Sequence, residues 1–232
     1  MKQPRFSNPM KFRQLTAALL VCALALSCAG RKERYTVHGT LTDSMASLPG
    51  SMVYLISADG PVDSAAVKDG KFTFSGEADN TIQLVAMLRY PGKDPYDERF
   101  MAVFVPDAKD IYIDLDYPET VTGSPLTDAV NAYQEKVSQI YYERESDIGS
   151  LAINGEQERA DSIFRAQMKK IAELSRETYL ANTDNVLGLQ AFTMLLDELE
   201  IEELEELVSR GGPLVKNNAY IAELLEGKKT RQ

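Results

Sequence analysis

The sequence predicts an α+β protein, an N-terminal antiparallel β-sandwich followed by a C-terminal α-helical module. Between Tyr35 and Gly123, short alternating runs rich in Val, Ile, Tyr, Phe and Thr are separated by Gly, Pro and Asp, the pattern of strands and turns. At Gly123-Ser124-Pro125 the apolar period changes from two to about 3.6. No helical pattern interrupts the strand half, which favours antiparallel pairing over a parallel sheet with crossover helices.

The chain opens with Lys2, Arg5, Lys11 and Arg13 and no acidic residue, then an apolar run from Leu15 to Leu26 broken only by Thr16. This is the layout of an export signal. The run is about twelve residues long, where a membrane-spanning helix needs roughly twenty, so residues 1–27 are expected to be a removed signal peptide. Ala25-Leu26-Ser27-Cys28-Ala29-Gly30 resembles the bacterial lipobox, although Ala25 stands where Leu is usual. That resemblance implies acylation of Cys28, cleavage before it, and a lipidated tether over residues 28–34. An ordinary signal peptide cut after Ser27, leaving a free cysteine, is the alternative. Acyl chains contribute about 0.8 kcal/mol per buried methylene, and more than one chain anchors stably.

The sandwich is expected over residues 35–123, with seven or eight strands. Its runs include Tyr35 to Leu41, Met52 to Ile56, Thr81 to Leu88, Phe100 to Val105 and Ile111 to Leu115. The clearest hairpin signal spans Ala65 to Phe74, where Asp69-Gly70 suits the positive φ angles of a type I′ turn. Tyr90 to Tyr96, with Pro91, Gly92, Asp94 and Pro95, reads as an exposed loop.

The helical region is expected over residues 124–228, with a tail at 229–232. Ser124 is placed to cap, and Pro125 takes the favoured first helical position. Leu126, Val130, Tyr133, Val137, Ile140, Tyr141 and Ile148 form one apolar stripe, and Asn154-Gly155 breaks it. A second helix, from about Glu156 to Ala181, points Ala160, Ile163, Phe164, Met168, Ile171 and Leu174 inward and stops near Asn182 to Asn185. Shorter helices follow at about Leu187 to Leu196, Ile201 to Arg210 and Asn217 to Glu226, the last two separated by Gly211-Gly212-Pro213.

Composition narrows the chemistry. The 25 basic side chains fall to 21 without residues 1–27, against 35 acidic ones, a balance of −14. Such a chain repels nucleic acid, whose phosphates need Lys and Arg clusters; Arg31-Lys32-Glu33-Arg34 reads as a hydrated tether. Cys22 leaves with the signal and Cys28 is consumed by acylation, so the processed chain has no free thiol. Thiol exchange, thiolate catalysis and zinc-thiolate sites all need one. About 205 residues then remain, ample for a packed core.

His38 is the sole histidine, and no spacing signature marks metal or acid-base partners for it. The acidic stretch Asp197 to Glu206 lacks a calcium-loop pattern, and its leucines keep helical spacing, so it reads as a solvated helix face. Asp107, Asp110, Asp114 and Asp116 gather about one strand, and paired carboxylates can hydrolyse glycosidic bonds at the right separation; surface carboxylates of an acidic protein are the simpler reading. There is no Gly-x-Ser-x-Gly elbow and no glycine-rich phosphate loop. The expectation is no catalytic residue, no cofactor and no metal, with Cys28 as the one functional site, for lipid.

Several segments resemble the uncharacterised N-terminal domain that precedes thioredoxin-like domains in thiol:disulfide oxidoreductase lipoproteins of Bacteroidota, of the TlpA and AhpC/TSA type. These are “Y-x-v-x-G” at Tyr35 to Gly39, “v-Y-L” at Val53 to Leu55, “D-S-a-x-V-k-D-G-k-F-x-F-x-G” at Asp63 to Gly76 and “V-t-G-S” at Val121 to Ser124. Weaker matches are “a-D-S-i” at Ala160 to Ile163 and the acidic helix at Glu202 to Glu206. In such proteins a Cys-x-x-Cys redox domain follows. This sequence ends at Gln232, about where that domain would begin, so the accessory region alone is expected.

The expected function is therefore a non-enzymatic cell-envelope lipoprotein, a protein-binding or scaffold module. An accessory half or shortened relative of a thioredoxin-like oxidoreductase, partnered by a thioredoxin-like protein, is the alternative. A carbohydrate-binding module is a third reading, kept open by eleven Tyr despite the lack of Trp. Ala29-Gly30-Arg31-Lys32-Glu33 is mainly basic, which favours the periplasmic face of the outer membrane over the cell surface.

Overall fold

The computed structural model describes residues 33–92 and 100–230. Residues from Arg34 onward form one compact unit. Eight strands make up its first part: β1 (Arg34–Thr40), β2 (Met52–Ser57), β3 (Gly60–Ala65), β4 (Lys71–Glu77), β5 (Leu84–Arg89), β6 (Met101–Phe104), β7 (Asp110–Asp114) and β8 (Thr120–Thr122). They pair as two four-stranded sheets, β4-β1-β7-β8 and β3-β2-β5-β6.

Every neighbouring pair is antiparallel except one. β1 and β7 run parallel, with Val37 opposite Ile111 and His38 opposite Tyr112, the one exception in the antiparallel-rich sandwich that the sequence predicts. A parallel pair needs a long crossover, and here the intervening strands supply it in place of a helix. The expected hairpin is also altered. Asp69 (φ 51°) and Gly70 (φ 70°) have the positive angles of the predicted turn, and Lys68 and Lys71 exchange both backbone hydrogen bonds at 2.9 and 3.0 Å. However, β3 pairs with β2 and β4 with β1, so the turn carries the chain between sheets and its ladder stops at one bridge.

Alternation explains the core. Val37, Phe74, Ile111 and Ile113 from one sheet face Val53, Leu55, Ala86 and Phe104 from the other, all buried, each large side chain contributing roughly 1.5–3 kcal/mol. The aromatic-glycine spacing of β1 and β4 has a direct cause. Antiparallel register sets Tyr35 opposite Gly76 and Phe72 opposite Gly39, and each ring lies over the facing glycine. A Cβ at Gly39 would fall 2.1 Å from the Phe72 ring, and one at Gly76 2.6 Å from that of Tyr35.

The second part comprises α1 (Pro125–Tyr142), α2 (Glu145–Ile153), α3 (Gln157–Ala181), α4 (Val186–Thr193), α5 (Ile201–Arg210), a short α6 (Pro213–Lys216) and α7 (Ala219–Lys229). The first predicted helix is thus interrupted after Tyr142. Gln167 of α3 donates its Nε2 to the carbonyls of Ile140 (2.7 Å) and Tyr141 (3.1 Å), satisfying acceptors that a helix end leaves open. The inward stripe of α3 also differs from the expected one. Ala160 and Ile171 are buried, but Phe164 is 42% exposed, and the buried line runs through Gln167, Ser175 and Tyr179. Ser175 and Tyr133 share a 2.8 Å hydroxyl hydrogen bond, and Tyr179 donates to the Leu207 carbonyl at 2.9 Å. Polar residues with partners can occupy a core stripe, and apolar periodicity alone does not count them.

Tyr133, Tyr179, Phe192, Leu195, Leu204 and Leu207 centre the helical core, which also takes in Val105 from the sandwich. At this joint the single hydroxyl proton of Ser124 is directed between Asp107 Oδ1 (2.6 Å) and the Val105 carbonyl (2.9 Å). Thr127 Oγ1 accepts from Val105 N–H at 2.8 Å. Val186 N–H donates to the Asn80 carbonyl at 2.9 Å, and Gln190 to Gln83 at 2.7 Å. Sandwich and helices are therefore coupled by hydrogen bonds as well as packing.

Candidate functional site

The outward positions of β1, β4 and β7 carry Thr36, His38, Thr40, Thr73, Ser75, Asp110, Tyr112 and Asp114. Parallel register brings His38 beside Tyr112, with rings stacked at 5.1 Å and 23°. His38 Nε2 lies 3.1 Å from Asp110 Oδ1, both side chains about half exposed. A contact so open to water contributes at most about 1 kcal/mol. Chemically, the arrangement offers an exposed ring, hydroxyls and carboxylates on an open sheet face, which suits contact with a ligand surface.

The four aspartates near β7 have separate tasks. Asp107 is a second N-cap for α1, accepting the Leu126 N–H at 2.9 Å beside the predicted cap Ser124, which accepts from Thr127 N–H at 3.1 Å. Asp110 meets His38, and Asp114 accepts the Asp116 N–H at 3.1 Å. Asp116 accepts from the Thr42 N–H (2.9 Å), the Thr42 hydroxyl (2.7 Å) and the Asp43 N–H (3.1 Å). Partial desolvation pushes its carboxyl pKa up, but these hydrogen bonds outweigh that and hold it below the ordinary value. Among the described residues no group of three or more His, Cys, Asp or Glu side chains is placed to hold a metal ion.

The acidic stretch around α5 buries Ile201, Leu204 and Leu207 and turns its carboxylates outward. Glu203 pairs with Arg176 of α3 at 3.2 Å and Glu205 with Lys229 of α7 at 2.8 Å, so they link neighbouring helices. In the Tyr90 to Tyr96 loop, Tyr90 packs against the sandwich core and Pro91 and Gly92 are exposed. The rest of that loop lies outside the described residues, as do Cys28 and the expected signal peptide. No helix among the described residues is long and apolar enough to cross a membrane.

The structure reveals a surface that sequence periodicity assigned to the core. From Gln134 to Arg159 no residue is buried, yet this stretch and the start of α3 carry Tyr141, Tyr142, Ile153 and Phe164. Tyr142 is 59% exposed and Ile153 88%. Tyr141 packs edge-on against Tyr142 (5.0 Å) and Phe164 (6.2 Å). A recess of about 210 Å³ is lined by Glu143, Arg144, Ser162, Ile163, Gln167 and Lys170 among others. The signal was present in the apolar residues Tyr141, Ile148 and Phe164, which helical spacing alone reads as inward-facing.

Residues 35–130, less than half of the chain, match the model of a domain of unknown function, DUF4369. The match covers the sandwich and the first residues of α1. No curated protein matches the chain at a significant level.

Proposed function

We propose that this chain is a non-enzymatic lipoprotein of the cell envelope, a protein-binding or scaffold module held by lipid on Cys28 at the periplasmic face of the outer membrane. The observation that carries the binding role is the exposed ring cluster of Tyr141, Tyr142 and Phe164, beside a helical stretch from Gln134 to Arg159 in which no residue is buried. Aromatic residues concentrate in interface cores and supply much of the binding energy there. Two of the aspartates near β7 are engaged in structural contacts, Asp107 at a helix cap and Asp116 in a loop clamp. The lipid anchor is supported by the residues around Cys28. Crosslinking of the intact protein in cells should capture an envelope protein; capture of none, together with turnover of a substrate by the purified chain, overturns the reading. Labelling with an alkyne fatty acid should mark the wild type and leave Cys28→Ala unlabelled.

A second reading, an accessory module of a thioredoxin-like thiol:disulfide pathway, is favoured by the Asp63 to Gly76 segment. Absence of binding to thioredoxin-like envelope proteins removes it. The exposed Tyr112–His38 stack favours a third, carbohydrate binding, which silence on a glycan array removes.

A further inference from the structure

We propose that the outer face of the β3-β2-β5-β6 sheet is a self-association surface, through which two copies of this chain pair face to face. The inference goes beyond the binding-module reading and concerns a different part of the molecule.

The two sheets of the sandwich differ on their outer faces. On β4-β1-β7-β8, register aligns Thr73, His38, Tyr112 and Thr122 in one outward row, and Asp110 and Asp114 flank it. Hydroxyl, imidazole and carboxylate groups on the outward positions are the usual alternation of a sheet with one wet side. On β3-β2-β5-β6 the same alternation turns apolar side chains outward. Tyr54, Met87 and Met101 form one row across the strands, and Ile56, Val85 and Val103 the next. Their chain neighbours Val53, Leu55, Ala86 and Ala102 are buried in the sandwich core, so these six stand on the opposite side. Neither core includes them; five are half-buried and Val103 is 40% exposed.

Single apolar residues on a surface are normal, whereas a contiguous patch marks an interaction site. At ordinary strand spacing and rise, the four strands cover roughly 350 Å² in plan. This is a small interface beside the about 800 Å² per partner of a standard one. Two chains held in one membrane meet at a high effective concentration, which makes such an area sufficient for pairing. That step rests on the lipid-anchor reading.

Shape and charge select a second copy. The chain has a net charge of −10, so a face bearing carboxylates repels its own copy. The two apolar rows carry no charge, and a strongly charged partner finds no complementary field on them. Charges stand at the ends of the face instead. Arg89 lies opposite Met52 at one end of β2, and Asp59 is exposed in the turn between β2 and β3 at the other. A twofold axis crossing the strands reverses their direction, so it sets the Arg89 end of one copy against the Asp59 end of the other. Sheets with apolar faces stack in this way at about 10 Å.

The test co-expresses two full-length copies with different epitope tags in cells that process lipoproteins. A photocrosslinking residue placed at Val103 or Val85 should join the two tags, with about tenfold more product than one placed at Thr73 on the outer face of the other sheet. Val103→Asp, at a position open to water, should lower capture from Val85 by at least about tenfold while the folded chain keeps its resistance to protease. Arg89→Glu should weaken pairing by about threefold, and adding Asp59→Arg should restore it. No joined tags, equal capture from Thr73, or a Val103→Asp chain that still pairs overturns the proposal. So does indifference to the charge swap, because the choice of a second copy rests on those ends. Capture of a different protein, of lipid or of another segment of the same chain overturns it in favour of that occupant. If the alkyne fatty acid fails to label the wild type, the lipid-anchor reading falls, while capture at Val103 still decides this one. Capture of an envelope protein from Tyr142, with no second copy from Val103, sinks this surface and leaves the binding-module reading standing.

Discussion

Tyr179 and Tyr142 are both tyrosines on long helices of the same module, yet they serve opposite ends of it. At the base, Tyr179 is fully buried, its hydroxyl donates to Leu207 and its ring packs on Phe192 at 5.1 Å. At the tip, Tyr142 is mostly in water, and its ring meets Tyr141 on the same exposed surface. The comparison teaches that apolar residues at helical spacing report a surface to be covered, without saying whether this chain covers it. At the base α1, α4 and α5 close around α3; at the tip only the short α2 is available.

Substitutions can break this contrast in order of size. Tyr179→Ala should destabilise the protein by about 3–5 kcal/mol, as aromatic truncations in cores do, seen as a lowered urea midpoint. Tyr179→Phe keeps the ring and should cost about 1–2 kcal/mol, for the lost hydrogen bond and the stranded Leu207 carbonyl. Gln167→Ala removes the brace rather than a core. It should cost about 1–2 kcal/mol and speed amide exchange around residues 141–153, while the amides around Tyr179 stay protected; equal loosening at both ends would show that tip and base are one cooperative unit.

The sandwich offers a matching test of a polar brace. Asp116→Asn should destabilise by about 1 kcal/mol, from weakened hydrogen bonds with Thr42 and Asp43. The Asp116 pKa is lowered in the folded state, so its contribution is fully present above the unfolded carboxyl pKa of about 3.9 and disappears as pH falls through the folded value. Urea midpoints measured from roughly pH 6 to pH 2 should therefore show a shallower acid limb in the variant than in wild type. The smallest effect belongs to the tip: Ile153→Ser should leave stability within about 0.5 kcal/mol of wild type. A larger loss would mean that Ile153 supports the fold.

Much of the local structure was legible in the residues. Ser124 and Pro125 start α1, Asp69-Gly70 makes the tight turn, and Asn154-Gly155 separates α2 from α3, because each signal acts through its own backbone. The alternating runs that hold Val37, Leu55 and Ile113 were also legible as strands. The open face with His38, Asp110 and Tyr112 was legible only as separate residues, since parallel register between β1 and β7 joins them across more than seventy positions. The second cap at Asp107 had no signal, because it reaches α1 from a neighbouring loop.

By itself, then, the sequence determined the succession of strands and helices, the turns between them, and an acidic balance. These follow from side-chain period, turn chemistry and charge, which are local or additive. Tertiary structure alone decided which strands share a sheet, where α1 ends, and which apolar stripe stays uncovered. Those outcomes depend on what arrives from distant parts of the chain: Gln167 reaches back to the end of α1, and nothing as large as the base core arrives to cover Tyr142 and Ile153.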